Sequence, residues 1–155
     1  MSKLDDRLAE LGLTVPTTSK PVAAYIPAVA SGNLVYTSGQ LPMVDGALPM
    51  TGKVGVEVDA DAAKQLARTC VLNGLAAARS AIGSLDRITR VVKVVGFVAS
   101  DPSFTGQPGV INGASELLAE IFGESGQHAR SAVGVPVLPL GAAVEVDAIV
   151  ALRPA

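Results

Sequence analysis

The sequence predicts an α/β sandwich, a mixed β-sheet with two helices packed on one face. Three observations carry this. Residues 59–83 and 110–123 each repeat apolar side chains at helical spacing. Short runs rich in Val, Ile and Ala surround them, giving the order β-β-(β)-α-β-α-β-β. One run, 91–98, is apolar almost throughout, as a central strand reads when both its faces are covered.

Taken in order, Leu4, Leu8, Leu11 and Leu13 sit among charges and predict a short amphipathic helix ended at Gly12. Pro16 and Pro21 deny regular helix to 15–21, which reads as a linker or an extended crossing. An N-terminal extension over 1–21 and a main domain over 22–155 follow from this division. Residues 24–30 read as an edge strand, because Pro27 cannot donate to a ladder. Ser31-Gly32-Asn33 is a turn, and 34–40 completes a hairpin. The stretch 41–52 reads as a loop, and 54–58 as a short strand or plain extended chain. Asp59 caps a helix that stops at Gly83, and its many alanines let it lie close to a sheet. Asn73 and Gly74 weaken it in mid-run, which packing can override. Val110, Ala114, Leu117, Leu118, Ile121 and Phe122 mark the second helix, closed by Gly123. Two strands, 128–135 and 143–152, close the chain and are read as neighbours.

Composition narrows the function. Of 155 residues, 49% are hydrophobic and only 17% charged, so part of the surface is expected to meet other subunits. The formal charge is −2 and no block of Lys and Arg stands out, which argues against a nucleic-acid partner. Two Tyr, three Phe and no Trp make a poor base-stacking platform. The lone Cys70 reads as a core thiol, and one Cys with one His cannot build a Cys/His zinc site, so no metal is expected. The polar start shows no leader, and no apolar run approaches the roughly 20 residues that span a bilayer. A cytoplasmic protein with no membrane partner is the expectation.

Candidate chemistry lies at the C-terminal end. Arg130 sits at the start of a hydrophobic strand and must find a partner or reach solvent. Its planar fork suits a carboxylate. The plain alternative is a structural ion pair with Glu145 or with a neighbouring chain. Glu145 and Asp147 share a strand face by the period of two. A functional Glu145 would orient water and move a proton, whereas Asp147 reads as structural. Arg on one strand and Glu on the next predict a small pocket for a charged metabolite. Ser38 and Gly39 end a strand, where ligand contacts are common and where a plain turn is the alternative. Asn112 is a pocket candidate or a cap of its own helix. His128 lies two residues before Arg130. It reads as a loop-edge histidine rather than a catalytic base, since nothing in the spacing pairs it with a serine.

Several ordered segments resemble one family. They are Tyr36-Thr37-Ser38-Gly39-Gln40-Leu41-Pro42, Val94-Val95-Gly96-Phe97-Val98, Asn112 opening the second helix, Ala129-Arg130-Ser131-Ala132-Val133 and Val144-Glu145-Val146-Asp147-Ala148. Over 22–153 the chain resembles the reactive intermediate deaminases (RidA/YjgF-like, "endoribonuclease L-PSP"). The resemblance implies a chorismate-mutase-like fold and a homotrimeric barrel with clefts between subunits. It implies hydrolysis of reactive 2-enamino and 2-imino acids to 2-oxo acids and ammonia, with no cofactor. Some members are described as ribonucleases or translation inhibitors. By position, Arg130 matches the arginine that grips the substrate carboxylate and Glu145 the acid near the attacking water. Tyr25 matches a tyrosine that closes the pocket, and Ser38 and Asn112 match pocket residues. Backbone groups near Gly39 or Ala132 would hold the water. Ala132 departs from the pattern, since many deaminases carry Cys there. The N-terminal extension and the connection over 99–109 also differ, which marks an offshoot. Two other readings stand beside it: a non-catalytic binder of a small carboxylate-bearing metabolite, and a hydrolase of a different enamine-like intermediate. Ribonuclease activity is least favoured.

Overall fold

A computed structural model describes residues 2–18 and 24–154. The elements are α1 (Lys3–Glu10), β1 (Ala28–Ser31), β2 (Leu34–Thr37), α2 (Ala60–Ile82), β3 (Ile88–Ala99), α3 (Gln107–Phe122), β4 (Ala129–Val135) and β5 (Val144–Leu152). Short 3₁₀ turns at Leu85–Arg87, Gly123–Gly126 and Pro139–Gly141 connect them. The expected domain boundary, and the end of the linker at Ser19, Lys20 and Pro21, lie outside the described residues.

The five strands form one mixed sheet in the order β1-β2-β5-β3-β4. All neighbours are antiparallel except β3 and β4, which α3 connects as a parallel pair. The two-layer sandwich is thus the fold, but the sheet is not closed, and the barrel implied by the resemblance is corrected here. β1 and β4 are opposite edges of an open sheet. The parallel β3-α3-β4 crossover lays its helix on one face, and among the described residues no pairing joins β1 to β4. A second correction concerns β4 and β5. They are not neighbours, because β3 runs between them.

The helices cover one face because the sequence alternates there. Val91, Val94, Gly96 and Val98 of β3 are buried beneath them. On the opposite face Val92 is exposed and Val95 and Phe97 are partly so. β3 is therefore central in the sheet but covered on one face only, not both. Val29, Tyr36 and Val133 add to this open face.

The α2 helix has the limits read from Asp59 and Gly83. The Asp59 carboxylate accepts from the Ala62 amide at 2.7 Å, and Gly83 ends the helix at φ 82°. Ala63, Ala67, Ala76, Ala77 and Ala78 are buried, as close packing requires. Asn73 has a task in mid-helix: its amide donates to the Leu41 and Met43 carbonyls and ties down the loop after β2. Cys70 is buried beside the Val144 carbonyl. Residues 54–58 form neither a strand nor an extended run. They make a tight turn closed by a Val54–Val58 bridge. α1 docks on its own chain: Leu8 is buried and the Asp86 carboxylate accepts from the Lys3 and Leu4 amides. The crossing over 14–18 runs along α2, where Arg79 donates to the Val15 and Pro16 carbonyls.

Candidate functional site

The side chains that the sequence singles out fall into two groups on opposite faces of the sheet. On β4, Arg130 pairs in register with Val94 and Ala132 with Gly96, so both point to the helix side. Arg130 reaches α3, where Nη1 donates to Asn112 Oδ1 at 2.7 Å and to Ser115 Oγ at 3.2 Å. Asn112 and Ser115 are one turn apart on α3, which puts them on one helix face. Asn112 lies inside α3 rather than at its N-terminus, so the cap reading is set aside.

Among the described residues Arg130 has no carboxylate partner, so the ion pair with Glu145 is not formed within the chain. Among the described residues its Nε and Nη2 have no hydrogen-bond partner. The guanidinium is held by one nitrogen and offers the other two, the pair a carboxylate would bridge. An open cleft of about 310 Å³ lies here, lined by Ser115, Ala119, Gly126, Gln127, His128 and Arg130.

Sequence reasoning missed Ser115. Its hydroxyl is 2.9 Å from His128 Nε2, and His128 Nδ1 is 2.6 Å from the Gly126 carbonyl oxygen. The signal was available only in two halves. Ser115 follows Asn112 by one helical turn, and His128 precedes Arg130 by the strand period of two. Only the docking of β4 beside α3 brings the halves together.

The second group lies on the open face. Glu145 pairs with Phe97 and Asp147 with Val95, so the shared face of the two carboxylates is as read. Gly39 lies against Glu145: a β-carbon there would come within 2.7 Å of Glu145 Oε1. The carboxylate thus rests over bare backbone. Ser38 Oγ donates to the Ile26 carbonyl at 2.7 Å and holds the segment that carries Tyr25, itself 59% exposed. Glu145 is about 10 Å across the sheet from Arg130 and a further 10 Å or so along it, counting two strand spacings and three residues. One chain does not bring the two together.

Burial pushes the Glu145 carboxyl upward, and the nearby Asp147 charge adds to this. Burial also raises Asp147, with Lys93 opposing. A carboxyl with a raised folded pKa favours the fold below its unfolded pKa, near about pH 4. That contribution is lost as pH rises through the folded value. Glu145→Gln is therefore expected to have a higher Tm than wild type at pH 7, with the difference vanishing in acid. Thermal melts at both pH values check this, and a lower Tm for the variant at pH 7 would contradict it.

Fold and site together define a small open α/β sandwich that presents an unpaired arginine to a cleft beside a Ser–His pair. The chain belongs to the YjgF/chorismate mutase-like family (RidA/YjgF-like, endoribonuclease L-PSP), whose model matches residues 5–152. Protein TCP17 of Trypanosoma cruzi is 47% identical over 147 residues, 94% of this chain and 92% of that protein. The crystal structure of Atu1372 from Agrobacterium tumefaciens, described as having unknown function, superposes with a TM-score of 0.90. It is 50% identical and the match covers 97% of this chain and 92% of that one. A 2-iminobutanoate/2-iminopropanoate deaminase of Dermatophagoides farinae is 32% identical over 142 residues, 91% of this chain and 95% of that protein. Among the described residues no helix is long and apolar enough to cross a membrane.

Proposed function

We propose that this protein hydrolyses reactive 2-imino and 2-enamino acids to 2-oxo acids and ammonia, without a cofactor. One observation carries the reading: among the described residues Arg130 pairs with no carboxylate, and its Nε and Nη2 have no partner beside an open cleft. The relative named as a 2-iminobutanoate/2-iminopropanoate deaminase supports it. Arg130 anchors the substrate carboxylate, and Asn112 fixes the guanidinium. The enamine tautomerises to the imine, water adds to the electrophilic carbon, and the carbinolamine collapses. Such substrates also hydrolyse in plain water, so positioning and modest acid–base help suffice.

Glu145 orients the water in this scheme, supplied by a second copy of the chain. The opposite facing of Arg130 and Glu145 within one chain supports that arrangement, as does the apolar open face with Val29, Tyr36 and Val133 exposed on it. A homotrimer with clefts between subunits would bring the two faces together, with Tyr25, Ser38 and Gly39 on the Glu145 side and Ala132 on the Arg130 side. Release of ammonia and 2-oxo acid from freshly generated 2-aminoacrylate tests the reading. A second reading is a binder that holds a small carboxylate without turning it over. It is favoured by Ala132, which stands where many of the family's deaminases carry Cys.

A further inference from the structure

We infer that Ser115 and His128 form the proton relay of the Arg130 cleft, taking a proton from the attacking water and returning it to the leaving ammonia. The inference rests on the hydrolytic reading above. Hydrogen-bond geometry carries it. The Gly126 carbonyl can only accept, so His128 Nδ1, 2.6 Å away, holds the ring proton. In the neutral ring Nε2 is then an acceptor, and its partner at 2.9 Å is Ser115 Oγ. Ser115 already receives a hydrogen from Arg130 Nη1 at 3.2 Å. Its own proton is therefore directed at His128. The result is one hydrogen-bonded chain, Arg130 to Ser115 to His128 to the Gly126 carbonyl, with His128 Nε2 as its proton acceptor.

Position adds to this. Ser115, His128 and Arg130 all line the same open cleft, so the relay reaches what the arginine holds. Glu145, supplied by a second copy in the scheme above, orients the water, and the relay takes its proton. No other histidine exists in the chain. The third member is a backbone carbonyl rather than a carboxylate. It fixes the tautomer as the acid of a serine-hydrolase triad does, without a negative charge to trap the imidazolium. A group that must both take and release a proton suits that arrangement.

The steps balance. Water attacks C2 of the protonated imine, forming a C–O bond as the C=N π pair moves to nitrogen. The water loses a proton to Ser115 Oγ while Ser115 passes its own to His128 Nε2. The imidazolium then returns a proton through Ser115 to the carbinolamine nitrogen. The C–N bond breaks with its electron pair on nitrogen, and the hydroxyl proton leaves with ammonia as ammonium. The 2-oxo acid is formed and His128 is neutral again.

Ser115→Ala and His128→Gln, made in the full chain, test this against a structural tie between β4 and α3. Alanine is the best helix former, so Ser115→Ala is compatible with α3, and glutamine retains hydrogen bonding at 128. With 2-aminoacrylate, both variants should lose about 100-fold in kcat, with KM little changed. Free imidazole should restore part of the rate to His128→Ala. A purely structural tie would move Tm or KM instead, and imidazole would rescue nothing. Wild-type kcat in both variants overturns the relay and leaves the hydrolytic reading standing. If wild-type protein itself accelerates no release, the reading and the relay fall together.

Discussion

Arg130→Ala is expected to lower kcat/KM for a 2-imino acid by about 1000-fold while the chain stays folded. Two charge-assisted hydrogen bonds to a carboxylate are worth about 1.5–3 kcal/mol each, and each 1.4 kcal/mol is about tenfold. Folding should survive because the groups Arg130 leaves behind, Asn112 Oδ1 and Ser115 Oγ, are only partly buried, and Ser115 borders the open cleft. Water can replace the lost donor there. Arg130→Lys should recover only part of the loss, since an ammonium supplies charge but not the planar fork. Steady-state rates with an unchanged melting curve check the prediction. An Arg130→Ala protein with wild-type kcat/KM would remove the carboxylate anchor from the mechanism.

The largest expected effect on stability comes from a glycine. A β-carbon on Gly113 would stand 2.0 Å from the Lys64 carbonyl oxygen of α2. That obstacle is backbone and cannot rotate away, so the two helices would have to separate. Overpacking of this kind costs about 1–3 kcal/mol, against which the helix preference for alanine returns up to about 1. Gly113→Ala should therefore lower Tm by about 5 °C in a chain of this size. Among the described residues, a β-carbon on Gly74, inside α2, would meet nothing within 4 Å. Gly74→Ala should raise Tm by about 2 °C. Paired melts separate close approach from propensity, and a Gly113→Ala chain as stable as wild type would refute the tight crossing.

Local signals in the sequence were enough for the helices and the first hairpin, though not for the turn at 54–58. Asp59 and Gly83 bound α2 because capping acts within a few residues. The helix over 110–123 and the hairpin around Gly32 are local in the same sense. Strand order is not local. The strands with Arg130 and Glu145 follow one another in the chain, and only the pairing of β3 with both reveals that another strand separates them. The same pairing decides that the two side chains face opposite ways. Ser115 and His128 lie 13 residues apart on different elements, joined by no periodicity, and meet because α3 returns the chain to the β4 edge. The barrel came from resemblance alone, and the strand order of a single chain corrects it. Asn73 shows the converse, a weak helix former kept in mid-helix by contacts to a loop 30 and 32 residues earlier.

The most direct measurement is the rate of ammonia release from 2-aminoacrylate and 2-aminocrotonate, generated by a dehydratase in situ, with and without the purified protein. The account predicts faster release than in buffer, matched mole for mole by 2-oxo acid. Release at the buffer rate for both substrates, from well-folded protein, would contradict it and leave the cleft as a place where a small carboxylate is held but not transformed.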